Sequence, residues 1–170
     1  MKAKAIPIKE WLESLKQATQ ELMSTSLRFD RAALPERDGK AARATVPATA
    51  PPDERQPGAY IAVLGEANAM HLGLTTTPEG CRMLARGLLG MRSDETLSDK
   101  DAVDGVSEVM NILAGKVKSS MADRDHSLRL GMPIFMEQPI QMRENMERVI
   151  AEVKIGPVPC QLLVFKNKAA

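Results

Sequence analysis

The chain has 170 residues, of which 44% are hydrophobic and 26% charged, and this length can bury one core without disulfides or metal ions. Its net charge of +1 argues against a partner bound through bulk charge, such as nucleic acid or an anionic membrane. Aromatic side chains make up only 3%, which argues against a stacking platform for single-stranded nucleic acid. We therefore expect one domain over residues 1–170.

The sequence shows no sign of export, membrane insertion or metal binding. Pro7, Lys9 and Glu10 interrupt the N-terminal sequence before an apolar run can build, so we expect no signal peptide. No stretch is apolar for long enough to cross a bilayer. Cys81 and Cys160 are isolated in the sequence, which favours reduced, buried thiols. These features predict a cytoplasmic protein that itself binds no metal or cofactor.

The first predicted element is an amphipathic helix over residues 7–27, where apolar residues recur at helical spacing. Pro7 suits the first turn of such a helix. Residues 30–58 then shift to a composition dominated by Ala, Pro, Arg and Asp. We expect a flexible insertion here, with one short strand near residues 44–46.

A pair of strands and a short helix follow. Residues 60–64 and 70–77 have the short apolar runs of two adjacent strands. Thr77 can cap the next helix, with Pro78 in its first turn, and this helix should end near Gly90.

Three more strands are predicted at residues 127–136, 146–155 and 159–166. Gly156 and Pro157 favour a hairpin turn between the last two. Apolar and polar residues alternate in the middle strand, as in a sheet with one wet face. The order of elements predicts an α+β fold in which long helices pack on a mainly antiparallel sheet.

The longest predicted helix begins after Ser98 or Asp99 and carries two distinct rows of side chains. One apolar row should face the core: Val103, Val106, Met110, Leu113, Ala114, Val117 and Met121. A second row should face outward: Asp104, Glu108, Asn111, Gly115 and Lys118. A carboxylate beside a carboxamide, followed by a residue without Cβ, is a candidate reactive surface.

A short internal match links this helix with the first one. Glu21-x2-Ser24 in the first helix parallels Glu108-x2-Asn111 in the long helix. Both chance and an internal duplication account for so short a match.

The outward row is part of a longer pattern. Asp104-x3-Glu108-x2-Asn111, followed by 21 residues and Pro133, resembles the motif of the CheC, CheX and FliY family of chemotaxis phosphatases. In that motif Asp or Ser, Glu and Asn are followed after about 22 residues by Pro, so the last gap is one residue shorter here. One complete motif with a degenerate counterpart is most similar to CheX. The resemblance extends over nearly the whole chain except residues 30–58.

The resemblance implies a CheC-like fold and dephosphorylation of an aspartyl-phosphorylated response-regulator receiver similar to CheY. In that reaction Asn111 would orient the attacking water. Glu108 would pair with a receiver lysine and so dock the receiver. Gly115 and Lys118 would take part in partner binding, with Gly115 allowing close approach of the receiver backbone. Asp104 would either help to dock the partner or cap the helix.

The same resemblance implies a structural role for Pro133, a Mg²⁺ ion held by the receiver rather than by this chain, and a homodimer formed through sheet edges. No nucleic-acid or membrane partner is expected. Three functions stay open: an active receiver phosphatase, a catalytically inactive receiver-binding module, and a structural part of a flagellar switch complex.

Overall fold

The computed structural model describes residues 3–29, 56–138 and 140–168. The elements in these ranges, in chain order, are α1 Ile8–Thr25, β1 Gly58–Leu64, β2 Ala69–Thr75, α2 Pro78–Leu89, α3 Asp99–Met121, β3 Arg129–Leu130, β4 Ile134–Met136, β5 Met146–Ile155 and β6 Val158–Asn167. The strand predicted near residues 44–46 lies outside the described residues. Of the helices described, none is long and apolar enough to cross a membrane.

The strands form one antiparallel sheet in the order β3, β1, β2, β6, β5, and β4 also pairs with β1. Alternate side chains of β1, β2, β6 and β5 join residues of all three helices in a single core. The α1 helix packs on β5 and β6, whereas α3 packs on β1. The predicted α+β fold with a mainly antiparallel sheet is therefore confirmed.

Local signals fix both ends of α2 and the start of α3. The Thr77 hydroxyl accepts a hydrogen bond from the backbone N–H of Gly80 at 3.0 Å, and Gly90 ends α2 with φ +64°, a conformation that glycine adopts without strain. The Ser98 hydroxyl caps α3 by accepting from the N–H of Asp101 at 3.1 Å. Helix capping was thus predictable from the residue types alone.

The buried side of α3 is wider than the predicted apolar stripe. Val103 is only half-buried, while Ala102, Gly105 and Val109 are buried. The reason is α2, which packs against this side of α3. A Cβ added to Gly105 would lie 2.5 Å from the Cβ of Ala85, so this helix crossing requires a glycine.

The prediction of one continuous strand over residues 127–136 is wrong, because the structure divides it into β3 and β4. Both pieces pair with the same edge of β1. Leu130 pairs with Val63, whereas Ile134 pairs with Tyr60. The outer strand therefore has one residue more than β1 over this interval, which is the signature of a β-bulge.

Pro133 accounts for the interruption, since it has no N–H to donate to the ladder. The N–H of Gly131 still donates to the carbonyl of Ala62 at 2.8 Å. We call residues 131–133 the edge bulge.

A buried polar network anchors the end of α3. The Asn68 side chain donates to Asp125 Oδ2 at 2.7 Å, and its own Oδ1 accepts from the N–H of Ile6 at 2.8 Å. The Ser127 hydroxyl also donates to Asp125. These hydrogen bonds, led by that of Ser127, lower the pKa of Asp125. The network joins the N-terminal segment, the β1–β2 turn and the loop after α3.

Candidate functional site

The outward row lies on the side of α3 opposite the core, as predicted. Asp104 and Glu108 are exposed, and Asn111, Gly115 and Lys118 are half-buried. Successive residues of the row are three or four positions apart, about one helical turn, which places all five along one ridge. Their surface position makes them accessible to a partner, whereas the roles suggested for them stay predictions.

Glu108 and Asn111 are in direct contact on this ridge. The Asn111 amide Nδ2 donates to Glu108 Oε2 at 3.3 Å. A carboxylate can only accept hydrogen bonds, so the amide atom next to it must be the NH₂ group. The Asn111 carbonyl oxygen is therefore turned away from Glu108 and can accept a hydrogen bond from a third group.

Asp104 already has a cation beside it. Its carboxylate accepts a hydrogen bond from Lys100, one helical turn earlier. This hydrogen bond raises the pKa of Lys100. Both side chains are exposed, so the pair is weak and a partner could replace it at little cost.

Gly115 differs from Gly105 in what surrounds it. A Cβ added to Gly115 would meet no atom within 4 Å. The described fold therefore does not need a glycine at this position. The missing side chain leaves a flat part of the ridge between Asn111 and Lys118.

The ridge is bordered on one side by α1. Lys116 forms an ion pair with Glu21 of α1 at 3.1 Å. Gln17 also donates to Glu21, at 3.4 Å, and the Ser24 hydroxyl donates to the Glu21 backbone carbonyl. The counterpart motif on α1 is thus bound to its own neighbours, and nothing in this arrangement confirms an internal duplication.

A groove of about 670 Å³ lies between α1 and the C-terminal end of α3, but neither Glu108 nor Asn111 lines it. In the part of the chain that the structure describes, no group of three or more His, Cys, Asp or Glu side chains could hold a metal ion. Glu108 and Asn111 are thus surface groups on α3, with no such cluster beside them among the described residues.

The two cysteines are buried, as predicted, and lie away from the ridge in α2 and β6. Burial raises the pKa of the Cys81 thiol to about 11 and that of Cys160 to about 12. Both stay protonated at neutral pH, which makes them poor nucleophiles.

The family model described as "Chemotaxis phosphatase CheX" matches residues 57–153. The matched range is more than half of the chain and includes Glu108, Asn111 and Pro133. This chain belongs to the CheX family. The recognition made from the motif on α3 is therefore confirmed. None of the curated proteins compared with the chain matches it.

Solved structures of CheX proteins share the fold. The CheX protein of Vibrio vulnificus has 14% identity and a TM-score of 0.63, with 95% of this chain and 100% of that chain covered. For CheX of Desulfovibrio desulfuricans the values are 13%, 0.64, 91% and 97%. A CheX–CheY–BeF3–Mg complex from Borrelia burgdorferi gives 11%, 0.60, 95% and 97%. The CheC-like fold predicted from the motif is thus present in this CheX-family chain.

Two neighbours of the ridge were not predicted from the sequence. Lys100 stands four residues before Asp104, a spacing that signals an ion pair on a helix. The contact of Lys116 with Glu21 had no such signal, because it depends on how α1 packs against α3.

Proposed function

We propose that this CheX-family chain binds a CheY-like response-regulator receiver in its phosphorylated form and hydrolyses the aspartyl phosphate. The observation that carries the proposal is the outward pair of Asn111 and Glu108, which contact each other at 3.3 Å. A helix surface that carries these two groups suits entry into the phosphorylated pocket of another protein. The CheX–CheY complex among the structural neighbours supports the choice of partner.

Asn111 would orient the water that attacks the phosphorus. Its Nδ2 is held by Glu108, so its carbonyl oxygen can accept a hydrogen bond from the water and direct the oxygen lone pair in line with the leaving group. The water oxygen then bonds to phosphorus, and the bond from phosphorus to the aspartyl oxygen breaks. Aspartate leaves as a carboxylate, and inorganic phosphate carries the protons of the water. An amide performs this step without adding negative charge beside the phosphate.

Glu108 would dock the receiver rather than act as a base. A carboxylate close to a phosphoryl group is repelled unless a cation lies between them. Glu108 is exposed, and none of the lysines and arginines in the described ranges forms an ion pair with it. Its Oε1 can therefore accept from a lysine beside the receiver's phosphorylation site.

The remaining residues of the ridge would complete the interface. Gly115 would let the receiver backbone approach, while Asp104 and Lys118 would add charged contacts at the two ends. Pro133 would be structural, through the edge bulge. We expect the Mg²⁺ ion for phosphoryl transfer to be bound by the receiver.

The test measures loss of phosphate from a phosphorylated CheY-like receiver with and without this chain. We expect the wild-type chain to accelerate the loss and Asn111→Ala to abolish the acceleration. The Asn111→Ala chain should still bind the receiver activated with beryllofluoride, because Glu108 is intact. Binding by the wild-type chain without acceleration would instead identify an inactive receiver-binding module. Association with flagellar switch components regardless of receiver phosphorylation would favour the switch-complex alternative.

We also propose a homodimer through the edge of β5. This strand has ten residues and pairs with β6 alone among the described strands, whereas β3 and β4 form a short, interrupted edge. If two copies pair antiparallel about Ile150, each Arg148 lies opposite a Glu152 on the same face. Sedimentation should show a dimer that Arg148→Glu weakens and that the double variant Arg148→Glu, Glu152→Arg restores. A monomeric wild-type chain would refute the proposed homodimer.

A further inference from the structure

The edge bulge presents an exposed apolar side chain, that of Met132. Met132 is 83% exposed, more than Ile134 at 63% or Leu64 at 50%. A bulge at a sheet edge redirects a side chain out of the regular alternation of the strand. Met132 is consequently held out in solvent by Gly131 and Pro133, which fix the bulge on either side of it.

The sheet order shows on which side of α3 the edge bulge lies. The strands before and after the bulge, β3 and β4, both contact α3. They lie at one edge of the sheet, beside β1, whereas α1 packs on β5 and β6 toward the opposite edge. The edge bulge therefore lies beside α3, on the flank away from α1.

We propose that Met132 is an apolar anchor for the receiver, in contact with the receiver surface that surrounds its phosphorylation site. This inference rests on the proposed function and extends it to a residue outside the motif. The ridge itself offers charged and amide groups, which give orientation and specificity more than affinity. An exposed methionine adds apolar area and adapts its shape to a partner.

A second copy of this chain is a less suitable occupant for the edge bulge. A neighbouring strand would need a regular ladder of N–H and C=O groups, and Pro133 has no N–H. The register slip between β3 and β4 also interrupts the edge. A folded receiver that already contacts α3 needs no such ladder to cover Met132.

The test compares Met132→Ser with Leu64→Ser. Leu64 is also exposed and lies in β1, but it alternates with Ala59, Ile61 and Val63, which face the core, so its side chain lies on the far face of the sheet. We expect Met132→Ser to raise KM for the phosphorylated receiver and Kd for the beryllofluoride-activated receiver about tenfold. The turnover number kcat at saturation should stay within about twofold of wild type, because the water-orienting residue is unchanged. Leu64→Ser should alter neither constant, and Met132→Leu should restore both.

The outcomes separate this inference from the function on which it rests. If the wild-type chain does not accelerate phosphate loss, the proposed function fails and the anchor fails with it. If the wild type accelerates the loss and Asn111→Ala does not, but Met132→Ser leaves KM and Kd unchanged, the anchor alone is wrong. A Met132→Ser chain with altered self-association and normal receiver affinity would assign Met132 to a contact between copies and would also overturn the inference.

Discussion

The side-chain amide of Asn111 donates to the carboxylate of Glu108 at 3.3 Å, across one turn of α3. This contact makes the two groups interdependent, because Glu108 fixes which end of the amide faces outward. The carboxylate keeps a second oxygen for a partner, and the amide keeps its carbonyl oxygen for a water. One hydrogen bond on the surface of α3 thus links the two residues to which the proposed function gives different roles.

Asn111→Asp should be as inactive as Asn111→Ala and should bind more weakly. The carboxylate has the shape of the amide but no NH₂ donor for Glu108, and it adds a like charge one helical turn away. It would also bring negative charge to the phosphoryl group. We expect single-turnover phosphate loss to slow by at least about 10²-fold. Wild-type rates for Asn111→Asp would contradict the assigned role of the amide.

Glu108→Gln and Glu108→Ala should separate docking from orientation. Gln removes the charge but keeps an oxygen that accepts from Asn111, so we expect a higher KM with kcat nearly unchanged. Ala removes both the charge and the acceptor for Asn111, so KM should rise and kcat should fall. Steady-state kinetics at several salt concentrations provide the measurement. The salt dependence of KM should become shallower in both variants, since one interfacial charge is lost, and an unchanged dependence would speak against an ion pair with the receiver.

The sequence predicted elements whose signals are local. The bounds of β5, Met146–Ile155, match the prediction because its alternation is regular and the Gly156–Pro157 turn follows directly. The outward row of α3 was predictable for the same reason, since Asp104, Glu108 and Asn111 recur at helical spacing. Residue types and a fixed period were sufficient in both cases.

Features that depend on a neighbouring element were missed. The break between β3 and β4 appears only when both pieces are aligned with β1, which residue pattern alone does not supply. Val109 is buried and Val103 half-buried because α2 packs on one flank of α3. Nothing in the residue pattern predicted the exposure of Met132, because that exposure follows from the bulge. Pairing register and helix packing are tertiary facts that local periodicity does not encode.

Gly115→Ala and Gly105→Ala should have opposite effects. Alanine at Gly115 meets no atom within 4 Å and favours the helix, so we expect the free energy of unfolding to rise by about 0.5–1 kcal/mol. Alanine at Gly105 would collide with Ala85 and destabilise the chain by about 1–3 kcal/mol. Urea unfolding measures both. If Gly115 serves close approach of the receiver, Gly115→Ala should also weaken receiver binding despite its greater stability, and unimpaired binding would remove that role.

Acid should destabilise the fold through Asp125. Hydrogen bonds from Ser127 and Asn68 lower its pKa below the ordinary value of 3.8. A carboxyl group whose pKa is lower in the folded state contributes stability above its unfolded pKa and loses it as pH falls through the folded value. Asp125→Asn should therefore cost about 1–3 kcal/mol at pH 7, where it leaves buried donors without an ionised acceptor.

Two comparisons, of pH 7 with pH 3 and of Asp125→Asn with Asp123→Asn, decide whether the Asp125 carboxylate causes the loss of stability in acid. Below the unfolded pKa the wild type begins to lose this stabilisation, so the difference in unfolding free energy between wild type and Asp125→Asn should shrink at pH 3. Asp123 lies two residues away and is exposed, so Asp123→Asn should change stability by no more than about 0.5 kcal/mol at either pH. Urea titrations of the three chains at both pH values measure this. An equal loss for Asp125→Asn at pH 7 and pH 3 would show that packing, rather than the ionised carboxylate, holds the loop after α3 to the β1–β2 turn.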